Sequence, residues 1–457
     1  MITGRVPVLL VLLGAAAVAS SAVLGDAMPG GGPWLALAGV AALVLLLVVF
    51  DWLVAAPAHE VGLRREGPVQ VRLGETATVN LFVTNTSVRT MRALVRDAWV
   101  PSAGAAEPYA HAIDLDPGQT QQLATELTPT RRGDRPAVRV TIRSYGPFGL
   151  AYRQTSHRRA DRLTPPWSLR ALPEFRSRRL LPEKLSRLRV IDGQVVTRGR
   201  GQGSEFDSLR DYVIGDDPRA IDWRASARRE HVVVKQWRPE RDRRVLCVVD
   251  AGRTSAGRIT SAGALVGDER AGEPRLDLAI DAALLLATLA THAGDRVDLL
   301  AVDTRTRANI SVSSKRSLPR LIDALAPLQP ALVETDFGRV VAEVLSLERK
   351  RALVVLFTSL DPGALGDGLM PVLGSLVSRH TVLVAAVHDP ALDRLAGARG
   401  SAGELYTAGA AELGLTELRR VRSALARYGC HVVDAPAETF AGAVADRYLD
   451  LKAAGRL

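Results

Sequence analysis

The sequence predicts a chain of mixed class, α/β plus all-β. An N-terminal transmembrane helix hairpin leads into an antiparallel β-sandwich and then a doubly wound α/β domain. Three observations carry this. Two long apolar runs, residues 6–24 and 34–50, stand close together near the N-terminus. Short segments that alternate apolar and polar residues, separated by turn residues, fill the stretch after them. From Val245 onward, wholly apolar strand-like runs alternate with helical runs, as in a parallel sheet covered on both faces. The 457 residues leave room for roughly two or three domains. The expected divisions are 1–56 (two transmembrane helices), 57–160 (β-sandwich), 161–202 (linker or strap), 203–243 (a charged, aromatic segment) and 244–457 (the α/β domain).

The first run is uncharged and long enough to span a bilayer. A turn-rich segment, 25–33, follows it, and the second run is bracketed by Trp34 and Trp52, as interfacial aromatics bracket a span. A cleaved signal peptide is the rival reading, with Arg5 as its basic end; a second apolar run so soon afterwards favours the hairpin. Arg5 precedes the first run, Arg64 and Arg65 follow the second, and the loop carries only Asp26. The positive-inside bias therefore places both termini in the cytoplasm of a multi-pass protein of the inner (plasma) membrane.

In 57–160, the runs 69–73, 77–83 and 137–142 alternate at period two, with turns at Gly74-Glu75, Asn85-Thr-Ser87, Asp116-Pro-Gly118 and Arg132-Gly-Asp134. This spacing suits a sandwich of Ig-like size. Residues 161–202 carry Pro165, Pro166, Pro173 and Pro182 among many Arg and Leu, and read as a linker or strap. Gly199, Gly201 and Gly203 read as a flexible loop. No Gly-Lys-Ser/Thr occurs in the chain, which argues against a nucleotide-binding P-loop and an ATPase activity of its own.

Residues 203–240 pack alternating acids and bases around two Trp. Phe206, Leu209 and Tyr212 are spaced as on one helix face, Gly215-Asp-Asp-Pro218 marks a turn, and 231–235 reads as a strand. Two readings stand: a self-paired clamp between domains, or a recognition surface built on Asp216, Asp217, Arg219, Asp222, Trp223 and Arg228. No nucleophile–base set accompanies these acids, so the stretch does not read as catalytic.

In 244–457, strands are expected at 245–249, 297–302, 310–312, 352–358, 382–387 and 430–433, and helices at 276–293, 318–328, 337–347, 369–378, 413–427 and 441–453. Doubly wound sheets bind ligands beyond the carboxyl ends of their strands. Loops at that edge offer Asp250, Thr254, Thr335 and Asp361, oxygen ligands of the kind that suit Mg²⁺. The arrangement resembles the von Willebrand factor A fold, a Rossmann-type domain whose first strand ends in Asp-x-Ser-x-Ser. Here those Ser positions are Gly252 and Thr254, so one hydroxyl ligand is missing. In the alternative reading, Asp250 and Asp361 cap helices or bind backbone amides.

The net charge of +10 could suit nucleic acid or an anionic membrane surface, but the basic residues are overwhelmingly Arg and form no stripe interleaved with aromatics. The two cysteines, Cys247 and Cys430, sit in apolar runs as small buried hydrophobes, consistent with a reducing compartment.

The run Gly203-Ser-Glu-Phe206, Leu209-Arg-Asp-Tyr212, Gly215-Asp-Asp-Pro-Arg219, 221–228 and Glu240 resembles the signature of the family called domain of unknown function 58. Its members are bacterial, often membrane-anchored and often found beside MoxR-type AAA+ ATPases. The likeness covers the chain in outline, including Tyr145-Gly-Pro-Phe-Gly-Leu150 at the sandwich end. It implies a membrane-anchored, cytoplasm-facing adaptor or scaffold that works with a MoxR-type ATPase in protein assembly or maturation, with Mg²⁺ optional, and it assigns no catalytic residues. Two other classes stay open: a divalent-metal-dependent hydrolase using Asp250 and Asp361, and a binder of anionic lipid or nucleic acid.

Overall fold

A computed structural model describes residues 1–23, 32–198, 205–214, 216–229, 231–238, 243–260, 272–312 and 318–457. The chain divides into two units, Met1–Leu172 and Pro173–Leu457.

In the first unit the apolar runs form helices α1 (Arg5–Val23) and α2 (Gly32–Val54), which pack together through Val6, Val44 and their neighbours. Among the described residues one helix, Trp34–Val54, is long and apolar enough to cross a membrane, and Arg5–Ser20 is a shorter apolar helix. The outer side of α2 leaves Leu35, Leu45 and Leu46 exposed, an apolar surface that water does not favour.

Near its C-terminal end, α2 is tied to a β-turn. Asp51 is fully buried, and its carboxylate accepts the backbone amides of Phe148 (2.8 Å), Leu150 (2.7 Å) and Ala151 (2.7 Å). Gly146 makes room for it, because a Cβ there would lie 2.2 Å from Asp51 Oδ1. The Tyr145–Leu150 motif is thus a cradle for one carboxylate. Arg89 donates to the carbonyls of Leu53 and Val54, and Arg153 to that of Trp52, which satisfies helix-end acceptors that have no partner within the helix.

Ten elements follow: β1 (Val61–Glu66), β2 (Gln70–Arg72), β3 (Ala77–Asn85), β4 (Met91–Trp99), β5 (Ala110–Leu115), β6 (Thr120–Leu127), β7 (Gly133–Tyr145), β8 (Tyr152–Gln154), α3 (His157–Leu163) and β9 (Ser168–Leu172). One sheet has the order β1-β3-β6 and the other β2-β9-β7-β4-β5, with β8 paired to β7. Every second residue of β3 and β4 is buried, and Leu81 and Val83 of one sheet share a core with Met91, Val95 and Ile142 of the other. Arg65 and Asp97 form a buried ion pair beside Trp99, whose indole N–H also donates to Asp97.

Of residues 161–202, expected as a linker or strap, those described, 161–198, are built into the two units. β9 is a sheet strand, and α4 (Leu181–Arg198) sets Leu188 and Ile191 into the core of the second unit. The prolines misled because they fall at element ends: Pro165, Pro166 and Pro173 flank β9, and Pro182 lies in the first turn of α4, where no intrahelical bond needs its N–H.

In the second unit, β10 (Glu205–Asp211) and β11 (Val233–Arg238) form an antiparallel hairpin around α5 (Trp223–Arg229). Phe206 and Leu209, expected on a helix face, therefore lie in a strand, and Tyr212 follows its end. Its register shifts between Phe206 and Ser208, and that one extra residue turns a period of two into the spacing of three between Phe206 and Leu209. Gly203, Gly215 and Glu240 lie outside the described residues.

The remaining elements are β12 (Arg244–Asp250), β13 (Arg258–Ile259), β14 (Glu273–Pro274), α6 (Arg275–His292), β15 (Arg296–Val302), β16 (Thr306–Val312), α7 (Leu318–Leu325), α8 (Phe337–Leu347), β17 (Leu353–Phe357), α9 (Met370–Val377), β18 (Thr381–His388), α10 (Pro390–Gly397), α11 (Ala402–Arg427), β19 (His431–Pro436) and α12 (Ala437–Ala453). The main sheet runs β16-β15-β12-β17-β18-β19, parallel throughout except for the edge strand β16. Val245, Cys247 and Val249 of β12 pack with α6 and α12, while Leu246 and Val248 pack with α8 and α9 on the other face. α10 and the first half of α11 escape an apolar-period reading, because α11 buries only Ala408, Ala411 and Leu425 over its 26 residues.

Candidate functional site

In the main sheet β12 lies between β15 and β17, and the chain leaves it toward one edge before returning to build the other. The loops after β12 and β17 therefore diverge and leave a crevice beyond the strand ends. Asp250, the last residue of β12, lies there and is only 3% exposed. Its Oδ1 accepts the amide of Gly252 (2.8 Å) and the hydroxyl of Thr335 (2.5 Å). Its Oδ2 accepts the hydroxyls of Thr254 (2.9 Å) and Thr358 (2.6 Å). Four donors fill the four acceptor positions of a carboxylate.

The structure thus joins three of the residues singled out in the sequence, Asp250, Thr254 and Thr335, and adds Thr358. Asp361 is engaged elsewhere: its Oδ1 accepts the amide of Ala364 (2.9 Å) and caps the helical turn that leads into α9. Gly252 is a packing requirement, since a Cβ there would lie 2.1 Å from Thr335 Oγ1 and 2.9 Å from the carbonyl of Val333. A serine at this position would collide with the threonine that reaches Asp250. These engagements leave few free oxygens for a cation. Among the described residues, no group of three or more His, Cys, Asp or Glu is placed to hold a metal ion.

Arg275 was not foreseen. It opens α6, and its Nη1 donates to the carbonyl of Thr254 (2.9 Å). Its Nε is buried without a hydrogen-bond partner among the described residues. Burial lowers its pKa, and the nearby charges of Asp389, Asp361, Asp250 and Asp434 oppose that shift. One signal was available: an Arg in the first turn of an apolar helix opposes the helix dipole and calls for acceptors from elsewhere.

The hairpin of β10 and β11 is the second charged cluster. Arg210 binds Asp216 through two nitrogens (2.7 and 2.6 Å), and the amide of Val213 adds a third bond. The Arg210 bonds, then that amide, hold the Asp216 carboxyl below the usual carboxylate range. Asp217 accepts the amide of Arg219 (2.9 Å) and caps a single helical turn. Asp222 accepts the amides of Ala225 (3.0 Å) and Arg224 (3.1 Å) at the start of α5 and pairs with Lys235 (3.5 Å). The Ala225 amide leads the causes that lower its pKa. These three acids shape the hairpin, while Trp223 is 68% exposed and Arg219, Arg224, Arg228 and Arg229 face solvent. Of the residues predicted for an interface, the acids are structural in their bonding, and Trp223, Arg219 and Arg228 are on the surface.

Residues 208–425 match one family. Its description is "Protein of unknown function DUF58", and the matched span runs from β10 into α11. Over 210 residues the chain is 30% identical to an uncharacterized protein, Rv1480, of Mycobacterium tuberculosis H37Rv and equally to uncharacterized protein Mb1516 of Mycobacterium bovis. Each alignment covers 44% of this chain, and the chain spans 60% of the length of these curated relatives. Among solved structures, an Escherichia coli alpha-2-macroglobulin is 19% identical over 26% of this chain and 17% of its own (TM-score 0.20). A CARDB domain from Pyrococcus furiosus is 12% identical over 26% of this chain and 91% of its own (TM-score 0.19). Likenesses this distant bear on neither function nor site.

Proposed function

We propose that the chain as a whole is a member of this family and serves as a membrane-anchored adaptor that docks a MoxR-type AAA+ ATPase, or the ATPase's client, during protein assembly or maturation. In this reading α1 and α2 form a two-helix anchor of the inner (plasma) membrane with both termini cytoplasmic. The two packed sheets are an Ig-like sandwich. The second unit is a von Willebrand factor A-like domain, a reading supported by the order of its sheet and by the Asp250–Thr335 pairing at the strand ends. The observation that carries the proposal is the hairpin. Its acids are engaged in holding its own turns, yet Trp223 and a set of arginines are left in solvent. Trp and Arg are the residues that most often anchor protein interfaces.

The test is recovery of the full chain from its own membranes in mild detergent, beside the variants Trp223→Ala and Arg228→Ala. An AAA+ ATPase should co-purify with the unaltered chain and be reduced at least about tenfold with either variant, the size of a hot-spot loss. Recovery without any AAA+ protein, or undiminished capture by both variants, would reject the docking role.

A further inference from the structure

Both apolar helices meet the sandwich at the turn between β7 and β8. Asp51 of α2 accepts the amides of Phe148, Leu150 and Ala151 on one side of it. The residues that lead into α1 bind the other side. Ile2 forms a β-bridge with Ala151, and Thr3 donates its backbone N–H to the carbonyl of Leu150 (2.9 Å) and its hydroxyl to that of Gly149 (2.8 Å). The turn closes on itself through the Gly149 amide and the Gly146 carbonyl (3.0 Å), with Gly149 in the left-handed region at φ +64°. Two helix ends and one turn therefore form a single fixed junction.

The depth of this junction follows from α2. The apolar stretch Trp34–Val54 has 21 residues, about 31 Å of helix, which matches a hydrocarbon core of about 30 Å. Phe50 stands about one turn, or ~6 Å, before its end. Phe148, at the tip of the β7–β8 turn, is 53% exposed, and its ring centroid lies 6.1 Å from that of Phe50. Just beyond, the Arg153 guanidinium lies over the exposed Trp52 ring (4.6 Å), and Arg89 and Arg153 donate to the last carbonyls of α2. An outward-facing apolar ring, then Trp and Arg, is the order of side chains at a boundary between acyl chains and headgroups. The β3–β4 turn belongs to the same end of the sandwich, since Arg92 at the start of β4 pairs with Tyr145 at the end of β7, and its Val88 is 89% exposed.

We propose, resting on the reading of α2 as a membrane span, that this end of the sandwich is a membrane contact. The Phe148 turn lies in the boundary layer of a phospholipid bilayer beside the last turns of α2, and the sandwich is seated on the lipid surface instead of being tethered away from it. Lipid then removes the apolar surfaces of Phe148 and Val88 from water. A carboxylate at the depth of Asp51 is costly in a bilayer, and the three amides of the turn satisfy it there, so the anchor and the contact depend on the same bonds.

The test uses the full chain reconstituted in vesicles of phosphatidylcholine and phosphatidylglycerol, with a nitroxide attached at Phe148→Cys, Leu46→Cys or Val138→Cys. Cys247 and Cys430 are buried, and the unaltered chain treated with the same label is the blank. Power-saturation electron paramagnetic resonance compares collisions of the label with oxygen, which concentrates in lipid, and with a water-soluble nickel chelate. Oxygen should prevail at 46, on the exposed side of α2, and less strongly at 148. The chelate should prevail at 138, which is exposed on β7 about 23 Å along the strand from Tyr145. A label in lipid at 46 but in water at 148 overturns the contact and leaves the span standing. A label in water at 46 removes both. Should Phe148→Cys not fold, Val88→Cys is read in its place with the same two outcomes.

Discussion

The crevice around Asp250 and the hairpin of β10 and β11 use the same chemistry to opposite ends. In both, an Asp accepts hydroxyls or backbone amides and an Arg stands close by. At Asp250 two partners, Gly252 and Thr254, come from the loop that follows it, two more, Thr335 and Thr358, come from distant parts of the chain, and the carboxylate is sealed from water. In the hairpin the bonded partners of Asp216, Asp217 and Asp222 lie within the hairpin itself, and the side chains around them remain open. Burial decides what such bonds achieve. A buried acceptor that loses its donors, or a donor its acceptor, bears the full cost of desolvation, while an exposed one turns back to water. The first region is thus a fastener of the sheet, and the second holds a local shape that presents other residues.

The sharpest way to break this contrast is Asp250→Ala. It strands one amide and three hydroxyls, and should destabilise the second unit by about 3 to 5 kcal/mol. Native-state hydrogen exchange of the β12 and β17 amides in the full chain reads this directly, and an unchanged protection pattern would remove the fastener role. A middle case is His380, which is buried with neither ring nitrogen hydrogen-bonded to a described residue. Burial pushes its pKa below the ordinary histidine value, with Glu348 opposing the shift. A depressed folded-state pKa means that the unfolded chain takes up the proton first. Its effect is therefore absent above pH ~6.5, and stability is lost as pH falls from there toward the depressed value. Melting curves between pH 8 and pH 5 should show a steeper loss for the unaltered chain than for His380→Phe, and equal slopes would reject this. The smallest effect on global stability is expected for Asp222→Ala. It should raise exchange in α5 and leave β12 unchanged; loss of protection in β12 would show that the hairpin braces the sheet.

Much of the scaffold was legible in the sequence. The apolar runs at 245–249, 352–358 and 382–387 became β12, β17 and β18 with shifts of one residue or so, because a strand buried on both faces has few alternatives. The 337–347 helix was read at its true bounds, its start marked by the capping side chain of Asp336. The hairpin was misread because a bulge imitates a helical spacing, and α11 was shortened because it shows little apolar face. At the site, Asp250, Thr254 and Thr335 are legible as oxygen-bearing residues at or just beyond strand ends, in the loops of the carboxyl edge. Thr358 and Arg275 are not, since Thr358 reads as part of the apolar strand run 352–358 and Arg275 as a basic residue just before the helical run at 276–293.

By itself the sequence determined the local elements and the kinds of side chain at the strand ends, since periodicity and capping act between near neighbours. Only the tertiary structure decided what those side chains do. Thr335 lies 85 residues from Asp250 in the chain and Thr358 lies 108 away. Asp51 meets a turn about a hundred residues further on, where Gly146 is the vacancy that admits it. No local pattern encodes such pairs. They form when the sheet closes and bury donors and acceptors together, so that each must then satisfy the other.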